Sequence, residues 1–369
     1  MTEQLKPVDT DNPSKAPDLM KAVQFSEFGP PEVLRVVEVE RPTPSVGEVR
    51  VRVRGSFVAF GRDVSVRNGK HPFLPRLVQL PHILGGEHAG VVDAVGPGGN
   101  ADLVGKRVAV SASVSCTQCV ACQESQPWDC EAVTAIGIQR PGSNAEYTVV
   151  PEANLSELPE NLAFGQAAAF AASGPLAWEE LSVAQTSPNQ WVLVPGASGS
   201  VGMMLVALAV RRGANVVACT RGARAKNELL ALGAVAVLDS SDPALEAKLR
   251  ELSPRGVDVV VDNIADVAMW SRYWPALARR GRIVLAGQAG NSGQPLPIDV
   301  VAFYNRRATV TGLTIGDPRP VAGFWADLRS SPLEIPDSFL RAFPLEKAAD
   351  AHRLVEGGGK VGHVVLAVD

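Results

Sequence analysis

Apolar residues fall along this chain in two different rhythms. From Met20 the text consists of short β-type runs, Lys21 to Phe25, Val33 to Val39 and Val49 to Val53, separated by the Gly/Pro turns FGPPE and PTPSVGE. The runs Gly90 to Val95 and Arg107 to Val110 continue it on either side of GPGG, which predicts a compact β-rich domain of about 150 residues. After Ala163 the rhythm changes, and short apolar runs alternate with segments of helical length. The spacing predicts a strand at Trp191 to Pro195, a helix at Ser200 to Arg212, a strand at Asn215 to Cys219 and a helix at Ala225 to Leu232. Strands at Val235 to Leu238, Val257 to Asp262 and Arg282 to Gly287, with a helix over Val267 to Ala278, complete an α/β doubly wound parallel sheet. From Pro297 the text returns to mixed β and loop character and ends in the strand-like HVVLAVD. The first 19 residues are polar and interrupted by proline, so residues 1–19 read as a flexible tail.

Composition narrows the class. A chain of 369 residues with 46% hydrophobic and 20% charged residues is that of a globular protein of two or three domains. A formal net charge of −4 supplies no basic field for a phosphate backbone, so a small-molecule substrate is expected and nucleic acid is not. No apolar run reaches the length of a membrane span, and the N-terminus lacks the basic-then-apolar order of a signal peptide, which points to the cytoplasm and away from the membrane.

The run PGASGSVG sets Gly196, Gly199 and Gly202 after a strand and at the start of a helix, a GxxGxxG variant of the dinucleotide fingerprint. Glycines there permit a tight turn and close backbone approach, and the helix N-terminus offers free N–H groups to a pyrophosphate. Ser198, Ser200 and Val201 of the turn, with Asn263 and Gly287 at the ends of later strands, complete the expected contact set. The acid that would hold a ribose 2′-hydroxyl at the end of the second strand is missing. Thr220, Arg221, Arg224 and Lys226 stand there instead, which favours the 2′-phosphate of NADPH. For Arg224 and Lys226 a solvated helix face is the competing reading.

Four of the five cysteines, Cys116, Cys119, Cys122 and Cys130, are spaced C-x2-C-x2-C-x7-C. This lets four thiolates converge on one zinc ion from a single loop, a closed shell that stabilises instead of catalysing. Cys219, on an apolar strand, reads as a core residue.

Taken together, the cysteine lobe, LGGEHAGVVDAVG, GKRVAV and PGASGSVG make the chain from Met20 to Asp369 similar to the medium-chain dehydrogenase/reductase superfamily, which includes zinc alcohol dehydrogenases and quinone and enoyl reductases. The resemblance implies a GroES-like catalytic domain over 20–165 with its zinc lobe at 116–130, a Rossmann cofactor domain over 166–305, and residues 306–369 completing the catalytic domain. It also implies an active site between the two and a homodimer. The family's catalytic zinc is held by a Cys, a His of a GHE motif and a Cys or Asp, near a Glu. Here Phe60, Gly86 and Ala172 stand at the ligand positions, Glu87 is kept, and Arg62 replaces the hydroxyl residue of the proton relay.

Hydride donation without a metal suits an electrophile whose negative charge spreads along a conjugated system, such as an enone, an enal or a quinone. Arg62 is the candidate for stabilising that charge, the competing reading being an ion pair that fastens the domains. Phe60 and Trp178 are candidates for an apolar pocket wall, or else core. His88, Asp63 and His82 raise the alternative of a rearranged metal site for an alcohol dehydrogenase or carbonyl reductase, although neighbours on a strand such as Glu87 and His88 point to opposite faces. A non-catalytic NADPH-binding protein is the third reading.

Overall fold

The structure, a computed structural model, describes residues 18–71, 74–287, 293–314, 318–358 and 360–369. Six strands form a parallel sheet in the order Ala236–Asp239, Asn215–Thr220, Trp191–Pro195, Val257–Asp262, Leu277–Leu285, Thr309–Gly312. The Val-rich strands are buried on both faces, as a parallel sheet between helices requires. Val192, Val194, Val216 and Val259 pack toward helix Ser200–Arg211, while Leu193, Val217, Cys219 and Val260 pack toward Leu245–Leu252 and Val267–Tyr273. Strand order reverses between Trp191–Pro195 and Val257–Asp262, which opens a crevice at their C-terminal ends.

The β-rich part is built around strand Glu48–Phe57, which pairs antiparallel with His88–Val95, Tyr147–Pro151 and His363–Ala367. The strand near the end of the sequence therefore closes a sheet begun by the first part of the chain. Strand Leu19–Phe25 pairs with Arg35–Glu40 and His82–Ile83 in a smaller sheet.

The structure corrects several expectations. Of the expected tail, residues 1–17 lie outside the described residues, while Leu19 already belongs to a strand and pairs with Glu40. The stretch from Pro297 contains the helices Val300–Arg306, Pro318–Ser330 and Ala348–Glu356 where β and loop text was expected, and strand Thr309–Gly312 carries the parallel sheet past residue 305. Two prolines in the first turn of Pro318–Ser330 hide it, because proline is tolerated there but reads as a breaker. The helix expected over Val267 to Ala278 stops at Tyr273, where Pro275 enters a 3-10 turn, and the next strand starts at Leu277 instead of Arg282. The 20-residue helix Phe164–Val183 was not anticipated. It is Ala-rich and packs against strands of the β-rich sheet on one side and against helices Ser200–Arg211 and Pro318–Ser330 on the other, so apolar residues surround it and leave no 3.6-residue stripe to read.

Candidate active site

The glycine turn sits at the mouth of the crevice. Gly196 takes φ +68, and a Cβ there would lie 2.5 Å from Ile264 Cδ1, while one on Gly202 would lie 2.3 Å from the Gly196 carbonyl oxygen. The turn is thus a close-packed backbone cradle, and it leads into the 12-residue helix Ser200–Arg211, whose first N–H groups have no intrahelical acceptor. This donor set suits a pyrophosphate. Asn263 and Gly287 lie together across the crevice, since a Cβ on Gly287 would meet the Asn263 carbonyl oxygen at 2.5 Å.

The segment before the last strand closes onto this turn. Gly362 N donates to Ser198 O at 2.9 Å, and Ser200 Oγ donates to Gly362 O at 2.9 Å. Lys360 Nζ donates to Ser200 Oγ at 2.8 Å and to Gly362 O at 2.9 Å. Lys360 makes no ion pair with any described residue, and burial pulls its ammonium down to about 8. Sequence reasoning missed this cation beside the phosphate cradle; its only trace is a single Lys between a glycine run and the final strand.

At the end of the second strand the basic residues separate by role. Thr220 is buried and donates its hydroxyl to Arg224 O at 3.0 Å, so it holds the turn. Arg221 and Lys226 are exposed and pair with no acid among the described residues, and Arg224 Nη1 donates to Gly358 O at 3.0 Å. Asp239, on the adjacent strand, spends Oδ1 on Gly222 N, Ser241 N and Ser241 Oγ, which holds its carboxyl below the usual range.

The structure brings Arg62 and Glu87 together. Residues Phe60–Val64 form one π-turn in which the buried Asp63 accepts from Ala59 N at 2.7 Å, Gly85 N at 3.2 Å and Arg62 Nε at 3.3 Å. Arg62 Nη2 donates to Glu87 Oε2 at 2.7 Å. Burial opposes the guanidinium charge, but the carboxylates of Glu87 and Asp63 more than offset it, so Arg62 is held charged. A Cβ built on Gly86 would lie 2.2 Å from Arg62 Cζ and 2.3 Å from Nη1. The guanidinium therefore occupies the space that any side chain at 86 would enter, and the two are mutually exclusive. Nη1 hydrogen-bonds to no described residue.

The other residues weighed near this position have separate tasks. His88 Nδ1 contacts Gly86 O at 2.6 Å, its Nε2 is buried without a partner, and burial pulls the ring down to about 4, so it is neutral. His82 is buried edge-on against Phe25. Phe60 is 55% exposed. Trp178, a candidate for the pocket wall or for core, fills a helix contact, with its ring where a Cβ on Gly323 would come within 2.8 Å and with Arg212 over it at 5.7 Å.

In the lobe, the Sγ atoms of Cys116, Cys119, Cys122 and Cys130 all lie within 4.8 Å of one another, a set that could hold one metal ion. Backbone N–H groups of Gln118 and Cys119 point at Cys116 Sγ and bring that thiol down to about 6, while Cys116 N donates to Cys130 Sγ at 3.2 Å. These donors favour thiolates, so the residues present fit a divalent ion of zinc type.

Residues 45–160 match the alcohol dehydrogenase GroES-like domain and residues 200–329 match the zinc-binding dehydrogenase family. The fold is similar to that of a crystal structure of an NAD-dependent alcohol dehydrogenase, with 33% identity over 95% of this chain and all of the other, and a TM-score of 0.85. An alcohol dehydrogenase encoded by rspB in E. coli CFT073, solved with NADH, shares 27% identity over 95% of this chain and 99% of its own, with a TM-score of 0.80. Human quinone oxidoreductase is 26% identical over 94% of this chain and 98% of its own. The chain belongs to the medium-chain dehydrogenase/reductase superfamily, with a GroES-like domain and a Rossmann-type domain, and is an oxidoreductase of that type. Among the described residues no helix is long and apolar enough to cross a membrane.

Proposed function

We propose that the protein is an NADPH-dependent reductase that transfers hydride to a conjugated alkene, of enone, enal or enoyl type, or to a quinone, without a catalytic zinc. The observation that carries this reading is the Arg62 guanidinium in the space above Gly86, paired with Glu87. Phe60, Gly86 and Ala172 offer no ligand atom at the family's zinc positions, and the carboxylates nearby are spent: Glu87 on Arg62, Asp63 on two backbone N–H groups and Arg62. A fixed cation replaces a Lewis acid, and Arg62 Nη1 is the donor left to meet an oxygen on which charge develops.

The bound cofactor supplies the hydride. The glycine turn and the first turn of helix Ser200–Arg211 hold its pyrophosphate, Lys360 adds a positive charge, and Arg221 and Lys226 favour a 2′-phosphate. Exposed Val300, Val301 and Tyr304 beside the edge strand Thr309–Gly312 support a homodimer.

Product analysis decides the reaction. NADPH oxidation with α,β-unsaturated ketones and aldehydes is expected to yield saturated carbonyl compounds. Allylic alcohols would establish carbonyl reduction, the alternative favoured by the alcohol dehydrogenases among the relatives. Cofactor choice has its own measurement: Arg221→Asp is expected to raise the KM for NADPH by about tenfold or more relative to that for NADH. Equal changes for both would remove Arg221 from the 2′-phosphate site.

A further inference from the structure

Helix Phe164–Val183 carries a carboxylate into the interior. Glu180 is 0% exposed, and neither of its oxygens has a hydrogen-bond partner. The polar group facing it is Asn263, whose Nδ2 is also buried and unpartnered. Asn263 is half-buried, and its Oδ1 makes no hydrogen bond with a described residue and is not among the fully buried unpartnered atoms.

Their place in the fold gives the pair a meaning. Asn263 follows strand Val257–Asp262 directly, at the point where strand order reverses. The next residue, Ile264, covers Gly196 of the phosphate-binding turn, and Gly287 lies against the Asn263 backbone. Asn263 is thus part of the floor of the crevice in which an open α/β sheet binds its ligand. The charged groups near Glu180 are both acidic: Glu179 on its own helix, and Asp262, whose carboxylate is bonded to Ile264 N, Ala265 N and Tyr273 Oη. Burial pushes the Glu180 carboxyl up to about 8, the Asn263 amide works against that rise, and the two acids add to it.

A buried acid and a buried amide donor that face each other without completing a hydrogen bond, and reach no third group among the described residues, are rare in a native interior and call for a state in which they are satisfied. We propose that Glu180 is a positioning residue for the dinucleotide: as a carboxylate it accepts the Nδ2–H of Asn263 and fixes the amide so that Oδ1 is presented as an acceptor to a sugar hydroxyl at the strand-order reversal. This rests on the reading that a nicotinamide dinucleotide occupies the crevice.

The consequence is a proton. Below pH 8 the free protein carries it on Glu180, and binding, which calls for the carboxylate, releases it to the buffer. The Kd should fall as pH rises toward 8 and level off above. Lys360 titrates near the same pH with the opposite sign, since losing its charge weakens phosphate binding, so a variant at 180 is needed to separate them.

Calorimetric titration of the full chain with NADPH and with NADH at pH 7, in buffers of different ionisation enthalpy, reads the proton count. Wild type is expected to release about 0.5–0.9 proton with either cofactor. Glu180→Gln keeps an acceptor for Asn263 but has no proton to lose, so it should bind with little release, and its Kd should no longer fall between pH 6 and 8, leaving only the slight rise toward pH 8 that Lys360 gives. Glu180→Leu, without an acceptor, should bind about tenfold more weakly than Glu180→Gln at every pH. Binding by wild type without proton release overturns the inference, as does full release by Glu180→Gln or equal affinity of the two variants. Failure of wild type to bind either cofactor would instead overturn the dinucleotide reading, and the inference with it. If neither variant folds, the wild-type proton count alone decides.

Discussion

Arg62→Met is expected to lower kcat/KM by roughly 100-fold to 1,000-fold, because it removes the cation that, among the described residues, pairs with Glu87 and leaves that carboxylate without its partner. Arg62→Lys should recover little, since an ammonium cannot span Asp63 and Glu87 as the guanidinium fork does. The companion substitution acts through space alone. Gly86→Ala puts a methyl group 2.2 Å from Arg62 Cζ, with buried Asp63 and the π-turn backbone behind the guanidinium, so it should destabilise the fold by about 1–3 kcal/mol and reduce activity as Arg62→Met does. The double variant is the informative one. Once the guanidinium is gone, the methyl group meets no obstacle, and the stability cost of Gly86→Ala should vanish in the Arg62→Met background, a coupling of about 1–3 kcal/mol. Additive losses in thermal melts would show that the two positions do not share one volume. An Arg62→Met enzyme with wild-type turnover would return Arg62 to the role of a domain fastener.

Stripping the metal, by a chelator or by Cys122→Ser, is expected to lower the melting midpoint by about 5–10 °C and to open the loop around residues 116–130 to proteases. The lobe has almost no core of its own. A two-strand ribbon, Ser113–Val114 with Thr134–Ala135, closes its base, its helix Val120–Gln123 is a single turn, and Val120 is 65% exposed. Four thiolates on one ion would replace the missing hydrophobic contacts. Arg319 lies over the Trp128 ring of the lobe at 3.7 Å, and the cysteines lie far in sequence from the glycine turn, so the damage should stay local and cofactor affinity should change by less than about threefold. Metal analysis of the untreated protein should find one zinc per chain. Two would revive the rearranged alcohol dehydrogenase site, and an unchanged melting curve after complete metal removal would make the cysteines dispensable.

What could be read in the sequence was what short-range chemistry dictates. The strands Arg107–Val110, Trp191–Pro195 and Val257–Asp262 were expected with these limits, because Val-rich runs bounded by turns have few alternatives. The cysteine spacing and the glycine turn carry their geometry locally, and the structure brings each set together. Helix Phe164–Val183 escaped because its surroundings come from distant segments: residues packed on every side lose the period by which a helix is recognised. The partners of Thr220 and Trp178 were hidden for a related reason. A hydroxyl at a strand end and a large ring near a cleft suggest ligand contacts, but the Arg224 carbonyl and Gly323, neither predictable from spacing, claimed them first. Lys360 and Glu180 were passed over because a lone charged residue gives no sign of its burial.

The pairing of Val365 with Phe57 ties the order of synthesis to the order of folding. The six parallel strands lie together in sequence from Trp191 to Gly312, so the nucleotide-binding half can assemble as soon as that stretch leaves the ribosome. The half that begins first must wait. On the edge that Tyr147–Pro151 covers at Glu48–Arg52, the end Gly55–Phe57 of the central strand stays unpaired until His363–Ala367 emerges, a standing invitation to wrong partners throughout translation. Loss of His363–Ala367 by a premature stop would therefore cost solubility before it cost catalysis.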